Sequence, residues 1–344
     1  NTLNAPSSLS GGAASGLQYR PNKGSFGIMA TVVLGTQPNA DVFNMDVTLQ
    51  AQFNTRTFGL ESLRFEGNGY VMSQMADRSG NPPVRAKVVI GYYNLEGREF
   101  VQGNFQVFLN VYNAVRGAGT DDKFVDAEIY ADLKADNWWF YMGKDRPLDA
   151  RGGIIVDIPG ISIDARSYIM VGHGIPADLP PLPQEIREIL FAGAQLENQV
   201  SEGQVNRLRS TGSMQNGQGF AFGVHFKSEF ELNFLMFYAK MGIALGFDAN
   251  ISQNFSRICA ESGVVPGIDG WFAQGQAYAA LTGEMGIKVD LFFIKGEFKF
   301  IDLRAAIAMQ AKLPNPNYFQ GRAALTYNVL NGTIHGRCNF NIEL

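Results

Sequence analysis

Residues 219–252 alternate apolar and polar side chains, and this pattern limits what the chain can fold into more than any other. The even positions from 222 to 236 are mostly apolar, whereas the odd positions from 237 to 251 are apolar. A period of two is that of a strand whose two faces differ in polarity. The single change of parity indicates a bend, bulge or turn near 235–238, so the segment predicts two long strands.

The same alternation recurs at 43–54 and 285–293, and the glycine-containing segment 294–297 then predicts a hairpin turn. The chain has 39 glycines and 26 phenylalanines, which favour turns and strands. One short helix is predicted near 184–191, because Pro183 suits the first position of a helix. We therefore predict a mainly β fold of long antiparallel strands in a large sandwich or barrel-like sheet, with this one short helix.

Changes in composition divide the chain into four regions. Residues 1–23 are rich in Ser, Gly, Ala, Pro and Asn, and we expect a linker or an arm. Residues 24–173 form an N-terminal β region, and residues 174–218 form a proline-rich connection that holds the short helix. Residues 219–344 form a C-terminal β region of long hairpins.

The charge of the chain excludes several classes of partner. The 28 Lys and Arg residues nearly balance the 32 Asp and Glu residues, which gives a net charge of -4. This balance provides no basic footprint for nucleic acid. No run of about 18 apolar residues occurs, so we predict no membrane helix. The chain starts at Asn1, and we expect either a processed protein or a segment of a longer polypeptide.

Two tryptophans and one histidine are candidate ligand contacts. Trp138 and Trp139 stand in the densest aromatic run of the chain and would stack on sugars. In a strand, however, one indole faces each side, and core packing alone explains the inward one. His173 lies between two glycines at the edge of the proline segment. Such glycines let the backbone approach a ligand closely, and the simpler interpretation is a tight turn.

The sequence provides no constellation for catalysis or for holding a metal. The three histidines are far apart, and we expect each of them on a surface or a strand face. No serine lies in a nucleophile-elbow pattern, and the glycine pairs do not extend to a nucleotide fingerprint. We predict a protein that is not an enzyme and that has no cofactor or metal. Cys259 and Cys338 either form a disulfide in an oxidising compartment or are two buried thiols.

Several segments together resemble a module of giant secreted surface proteins of Bacteroidota. The resemblance covers roughly residues 85–344 and rests on structural aromatic, glycine and proline positions, which define no catalytic residue. Its segments are 136–143 (DNWWFYMG), 168–183 (YIMVGHGIPADLPPLP), 271–286 (WFAQGQAYAALTGEMG), 308–316 (AMQAKLPNP) and 336–340 (GRCNF). The resemblance implies cargo of the type IX secretion system and components of extracellular fibres, hooks or adhesive appendages.

The leading hypothesis is therefore a non-enzymatic structural module of an extracellular or cell-surface assembly. Its long one-sided strands and neutral polar faces suit a homo-oligomer, or contact with neighbouring domains of a longer chain. The first alternative is an outer-membrane β-barrel pore, in which the apolar faces contact lipid. The second alternative is a carbohydrate-binding β-sandwich. Under all three hypotheses the apolar faces of the long hairpins need a cover.

Overall fold

The structure is a computed structural model that describes residues 24–75, 82–95, 97–176, 178–191, 217–253, 267–291, 294–314 and 317–343. The expected arm at 1–23 and Cys259 lie outside these residues. Within them the fold is mainly β, with sixteen strands and one α-helix, and neighbouring strands run antiparallel. The predicted fold class is confirmed. The chain divides into two compact units, the first ending at Gly143 and the second starting at Lys144.

The first unit contains eight strands within its described residues, all shorter than the four longest strands of the second unit. Strands β1 to β5 pair in sequence order, β7 pairs with β5, and β8 pairs with β7. The short β6 extends the hairpin after β5. The strands are β1 Ser25–Gly35, β2 Phe43–Asn54, β3 Leu60–Val71, β4 Val84–Leu95, β5 Arg98–Val111, β6 Val115–Gly117, β7 Lys123–Asp132 and β8 Asn137–Met142.

The second unit contains eight further strands and the helix within its described residues, and its strands pair in sequence order from β9 to β16. Four of these strands have 17 to 21 residues, well beyond the usual five or six. The elements are β9 Gly152–Ile158, β10 Ile161–Ile175, α1 Gln184–Phe191, β11 Gly217–Phe234, β12 Phe237–Gln253, β13 Trp271–Leu291, β14 Ile294–Leu313, β15 Tyr318–Val329 and β16 Ile334–Glu343.

The parity change in residues 219–252 is a two-residue turn. Phe234 pairs with Phe237, and Leu235 adopts a φ of 55° between them. The turn prediction at 294–297 is wrong, because these residues belong to β14 and Gly296 pairs with Val289. Leu291 at the end of β13 pairs with Ile294 at the start of β14. A glycine next to a lysine is therefore a weak turn signal when the facing strand continues past it.

In each unit, one face of the sheet is apolar across consecutive strands. We call it the apolar face, and the opposite one the polar face. The register of the strands aligns the side chains of the apolar face in rows. In the second unit one such row crosses all eight strands, and in the first unit a similar row crosses seven. They consist of Ile154, Ala165, Phe226, Leu245, Ala279, Ile307, Ala323 and Phe340, and of Ala30, Leu49, Phe65, Ile90, Gly103, Ile129 and Phe140.

Helix α1 packs on the polar face of the second unit. Beneath it, four alanines on β12 to β15 are direct cross-strand partners and form what we call the alanine row: Ala244, Ala280, Ala306 and Ala324. They form one buried cluster with Ile186, Ile189 and Leu190 of the helix. Because alanine is small, it lets the helix approach the sheet closely. None of the described helices has the length and apolarity needed to cross a bilayer.

The alanine row predicts a difference between two adjacent residues of β14. Ala306→Leu adds three carbons beneath α1 and should lower the free energy of unfolding by about 1–3 kcal/mol, because a packed core cannot absorb them. Ala305→Leu, on the apolar face, should change it by less than about 0.5 kcal/mol. Urea unfolding followed by circular dichroism measures both. Equal effects of the two substitutions would contradict the packing of α1 on this row.

Candidate functional site

The proline segment and α1 are held on the polar face of the second unit by buried polar side chains. The amide nitrogen of Asn250 donates to the carbonyl of Pro176, and that of Gln276 donates to the carbonyl of Pro180 over 2.8 Å. Proline leaves its own carbonyl exposed and contributes no N–H, so these amides satisfy acceptors that strand pairing does not reach. The candidate site is therefore the part of the polar face that the proline segment and α1 cover.

A buried ion pair lies at the centre of this surface. The Nη2 atom of Arg151 donates to Oδ1 of Asp248 over 2.8 Å, and the two side chains are only 3% and 1% exposed. The guanidinium also stacks over the ring of Tyr168 and donates to the carbonyl of Asp145. Gln276 donates to the second carboxylate oxygen of Asp248 over 2.8 Å. These contacts offset part of the desolvation of both charges.

The loop before β9 joins this centre to the proline segment. Arg146 forms ion pairs with both Asp145 and Asp178, and it donates to the carbonyl of Asp178 over 2.7 Å. Burial raises the pKa of the Asp145 carboxyl above its ordinary value, although Arg146 and Arg151 act in the opposite direction. One arginine thus connects a buried loop carboxylate to the segment that precedes α1.

His225 occupies a strand face, as expected, and it is buried there on the polar face of β11. It is 1% exposed on β11, with Nδ1 3.1 Å from the hydroxyl of Tyr278 and Nε2 3.4 Å from Oε1 of Glu185. Glu185 belongs to α1, so this histidine connects the sheet with the first turn of the helix. Its neighbours in sequence are ordinary strand residues, and the fold alone brings it next to Tyr278 of β13 and Glu185 of α1.

Arginines hold the other end of the helix. The Nη2 atom of Arg337 on β16 donates to the carbonyls of Ile189 and Leu190 over 3.5 and 3.0 Å. The guanidinium of Arg322 lies 4.5 Å from the centre of the Phe191 ring. A helix has unpaired carbonyls and a partial negative charge at its C-terminus, so cations are stabilising there. Both ends of α1 are therefore fixed by side chains of the sheet.

A cavity of about 580 Å³ lies between α1 and the ends of the strands around it. Its lining contains seven carboxylates and only two cationic groups, those of Lys240 and Arg304. Several of these carboxylates already have partners, such as Glu284 with Lys299 and Asp302 with Arg304. Among the described residues, no group of three or more His, Cys, Asp or Glu side chains is arranged to hold a metal ion. The cavity is acidic, but most of its charges are engaged within the protein.

The residues proposed from sequence as ligand contacts are distributed over both units. Trp138 and Trp139 lie on opposite faces of β8, Trp138 on the apolar face and Trp139 on the polar one. His173 lies near the end of β10, where the pairing with β11 is irregular between Gly172 and Ile175. Its contact with a ligand stays a prediction. Each candidate therefore has a different environment.

The structure bears on only one of the two interpretations of the cysteines. Cys338 is exposed on β16, so it is not the buried thiol that one of the two interpretations expected. Cys259 lies outside the described residues, and the disulfide between the two therefore stays a prediction.

Comparisons with protein-family models, with curated proteins and with solved structures yield no match for this chain. Interpretation of the site therefore depends on its geometry. The polar groups around Arg151, His225 and Arg337 are bonded mainly to one another or to the segment they hold. This arrangement is suited to fixing a short helix on a sheet.

The buried ion pair predicts a large and coupled effect on stability. Arg151→Met leaves the carboxylate of Asp248 buried without its cation and should lower the free energy of unfolding by about 3–5 kcal/mol. In the double variant Arg151→Met/Asp248→Asn, the loss should fall short of the sum of the single losses by more than about 1 kcal/mol. Denaturant titrations of the four proteins give this coupling.

The exposed pair of Arg304 and Asp302 is the matched control for this cycle. Arg304 is half exposed, so Arg304→Met should cost less than about 1 kcal/mol. If Arg151→Met cost no more than this control, the ion pair would not hold the proline segment in place.

Proposed function

We propose that this chain is a membrane-embedded β protein whose apolar faces contact lipid, which corresponds to the outer-membrane alternative drawn from the sequence. One observation carries the proposal, namely that the apolar side chains of the sheet are exposed and many of its polar side chains are buried. Leu245, Ile307 and Phe340 of the apolar face are 46%, 44% and 65% exposed, whereas Asp248 and Gln276 of the polar face are 2% and 3% exposed. A one-sided sheet in water has the opposite arrangement.

The extent of the exposed apolar surface supports lipid as its cover. Monomeric soluble proteins rarely expose a continuous apolar patch larger than a few hundred Å². Here the large exposed apolar side chains of the described residues number 48, and they recur on strand after strand in both units. Strands in a bilayer alternate apolar side chains towards lipid with polar ones towards the interior. This alternation is the one found in the described strands.

The height of the apolar band also fits a bilayer. On β12 every apolar-face residue from Phe237 to Ile251 is apolar. At about 3.3 Å per residue the band is about 46 Å long along the strand. With the tilt of about 45° that membrane strands adopt, its height is about 33 Å. This value is close to the roughly 30 Å hydrocarbon core of a bilayer.

Under this proposal the polar face of the second unit faces away from lipid, and the proline segment with α1 covers part of it. The protein then has a non-catalytic role, and the polar side chains that hold α1 keep the segment in place. The apolar cluster formed by α1 and the alanine row holds the helix against this face. The location implied is an outer membrane.

The extracellular assembly module is the second candidate, and one observation favours it. Among the described strands, β1 pairs only with β2, and β16 pairs only with β15. An unpaired strand edge is a template for pairing with another chain. In such an assembly, neighbouring copies or domains would bury the apolar faces, and no lipid would be needed. The two candidates differ in whether the isolated chain needs detergent to remain in solution.

Two adjacent residues of β16 test the lipid contact. Phe340→Lys places a charge on the apolar face and should lower the free energy of unfolding from lipid vesicles by about 2–4 kcal/mol, because a charge in the middle of the bilayer loses its hydration. Asn341→Lys changes the polar face of the same strand and should have an effect of less than about 0.5 kcal/mol. Both residues are exposed, so neither substitution disturbs a packed core.

Solubility of the chain without detergent is the measurement that would contradict the lipid contact. If the purified chain were monodisperse without detergent and Phe340→Lys were neutral there, the apolar face would not contact lipid. A stable soluble oligomer would then favour the assembly module, whereas a soluble monomer would contradict both candidates.

A further inference from the structure

Five aromatic rings form a continuous ladder across β4, β5, β7 and β8 of the first unit. We call this set the aromatic ladder. Consecutive ring centres are 5.2, 5.7, 4.2 and 6.1 Å apart, with interplanar angles between 16° and 27°. In order along the ladder the residues are Tyr93, Phe100, Tyr130, Trp139 and Tyr141. All five side chains are partly exposed.

The ladder lies on the polar face of this unit, opposite the row that contains Ile129 and Phe140. Trp139 follows Trp138 on β8, so their side chains point to opposite faces. Tyr130 pairs with Trp139 and occupies the same face. A partly exposed aromatic ridge on this face lies away from the proposed lipid contact. It places aromatic surface on a face where most of the other side chains are hydrophilic.

Hydrogen-bonding groups flank the ladder on both sides. Gln102 is exposed on β5 directly opposite Tyr130, and Glu128 is opposite Tyr141. The guanidinium of Arg98 donates to the hydroxyl of Tyr130 over 3.2 Å and lies 5.6 Å from the centre of the Phe100 ring. The surface therefore combines aromatic carbon with an amide, a carboxylate and a guanidinium. Ligand sites are typically apolar surfaces with a few well-placed polar groups.

We propose that the aromatic ladder binds a linear chain of neutral sugars. The stacked rings cover much of one another's faces, so a sugar would lie along the ridge of ring edges and offset ring surface. Its C–H groups would contact this aromatic carbon, and its hydroxyls both donate and accept hydrogen bonds. The groups beside the ladder include acceptors and donors, as such hydroxyls require. Successive strands are about 4.8 Å apart, which is close to the length of one sugar unit, so a chain can advance by one unit per strand.

A purely structural ladder is the alternative, because cross-strand aromatic pairs stabilise sheets. Titration of Trp139→Ala and Trp138→Ala distinguishes the two. The inference does not depend on a membrane location, because it uses only side chains of the first unit. Failure of the lipid test would leave it standing, and failure of sugar binding would leave the lipid contact standing.

Calorimetric titration of the full chain with linear oligosaccharides tests the proposal. The probes are six-unit chains of α-1,4-glucose, β-1,4-glucose, β-1,4-xylose and β-1,4-N-acetylglucosamine. Any detergent used must have no sugar headgroup, because a maltoside would compete for the ladder. We expect saturable binding of at least one probe with a Kd of about 1 mM or tighter.

Adjacent tryptophans provide the matched pair of variants. Trp139→Ala and Tyr130→Phe both act on the polar face. The first should weaken binding at least about tenfold by removing ring surface, and the second should weaken it less because it removes only a hydroxyl. Trp138→Ala, on the opposite face of the same strand, should leave the affinity within about twofold. Circular dichroism of each variant reports whether the fold is retained.

Three results would overturn the proposal. They are the absence of saturable binding by every probe, equal affinity of the parent chain and a folded Trp139→Ala, and equal weakening by Trp138→Ala and Trp139→Ala. If Trp139→Ala failed to fold, the titration of Gln102→Ala would replace it. That exposed amide should weaken binding by about threefold or more, and an unchanged affinity would equally contradict the sugar site.

Discussion

Each long strand of this chain has one apolar and one polar face, and each face needs a cover of its own kind. The two-residue period of a strand fixes this requirement locally, and the antiparallel register extends it over the whole of each unit. In the second unit the polar face has a cover within the chain, namely the proline segment and α1. The apolar face has none among the described residues. The proposed lipid contact follows from this difference between the two faces.

The proline segment and α1 cover the polar face because their side chains and carbonyls match the residues beneath them in size and charge. The alanine row creates a shallow apolar area on a face that is otherwise polar, and Ile186 and Leu190 fill it. Around this area, Arg151 and Arg337 form bonds with a buried carboxylate and with the last carbonyls of the helix. Charges as deeply buried as those of Arg151 and Asp248 are stable only when partners surround them. Packing and electrostatics therefore hold the same segment.

Local signals made much of the fold predictable. The parity change at 235–238 located a hairpin turn, because the loss of one alternation and the start of another need no tertiary information. Pro183 and the apolar residues that follow it located α1 at 184–191. The turn expected at 294–297 was wrong, because a lysine and a glycine also fit a strand whose partner continues. The period of the pattern was more reliable than individual turn residues.

The candidate sites were less predictable, because cross-strand register decides them. The alanine row comes from four strands, and no alanine in it is unusual within its own segment. Arg151 and Asp248 are 97 residues apart, and only the fold brings them together. The sequence indicated Trp139 as an aromatic contact, but the other members of its ladder became apparent only after the strands were aligned. Sequence spacing shows which face of a strand a side chain occupies, but it does not show which residues of other strands it contacts.

Collision of spin labels with oxygen and with a water-soluble nickel chelate tests the lipid contact most directly. Oxygen concentrates in the bilayer and the chelate in water, so the ratio of the two collision rates reports the surroundings of each label. Labels at Leu245 and Ile307 represent the apolar face in lipid vesicles, and labels at Arg304 and Asn341 represent the polar face. We expect high oxygen and low nickel accessibility at the first two positions, with the opposite at the other two. Nickel accessibility that is equally high on both faces would contradict it.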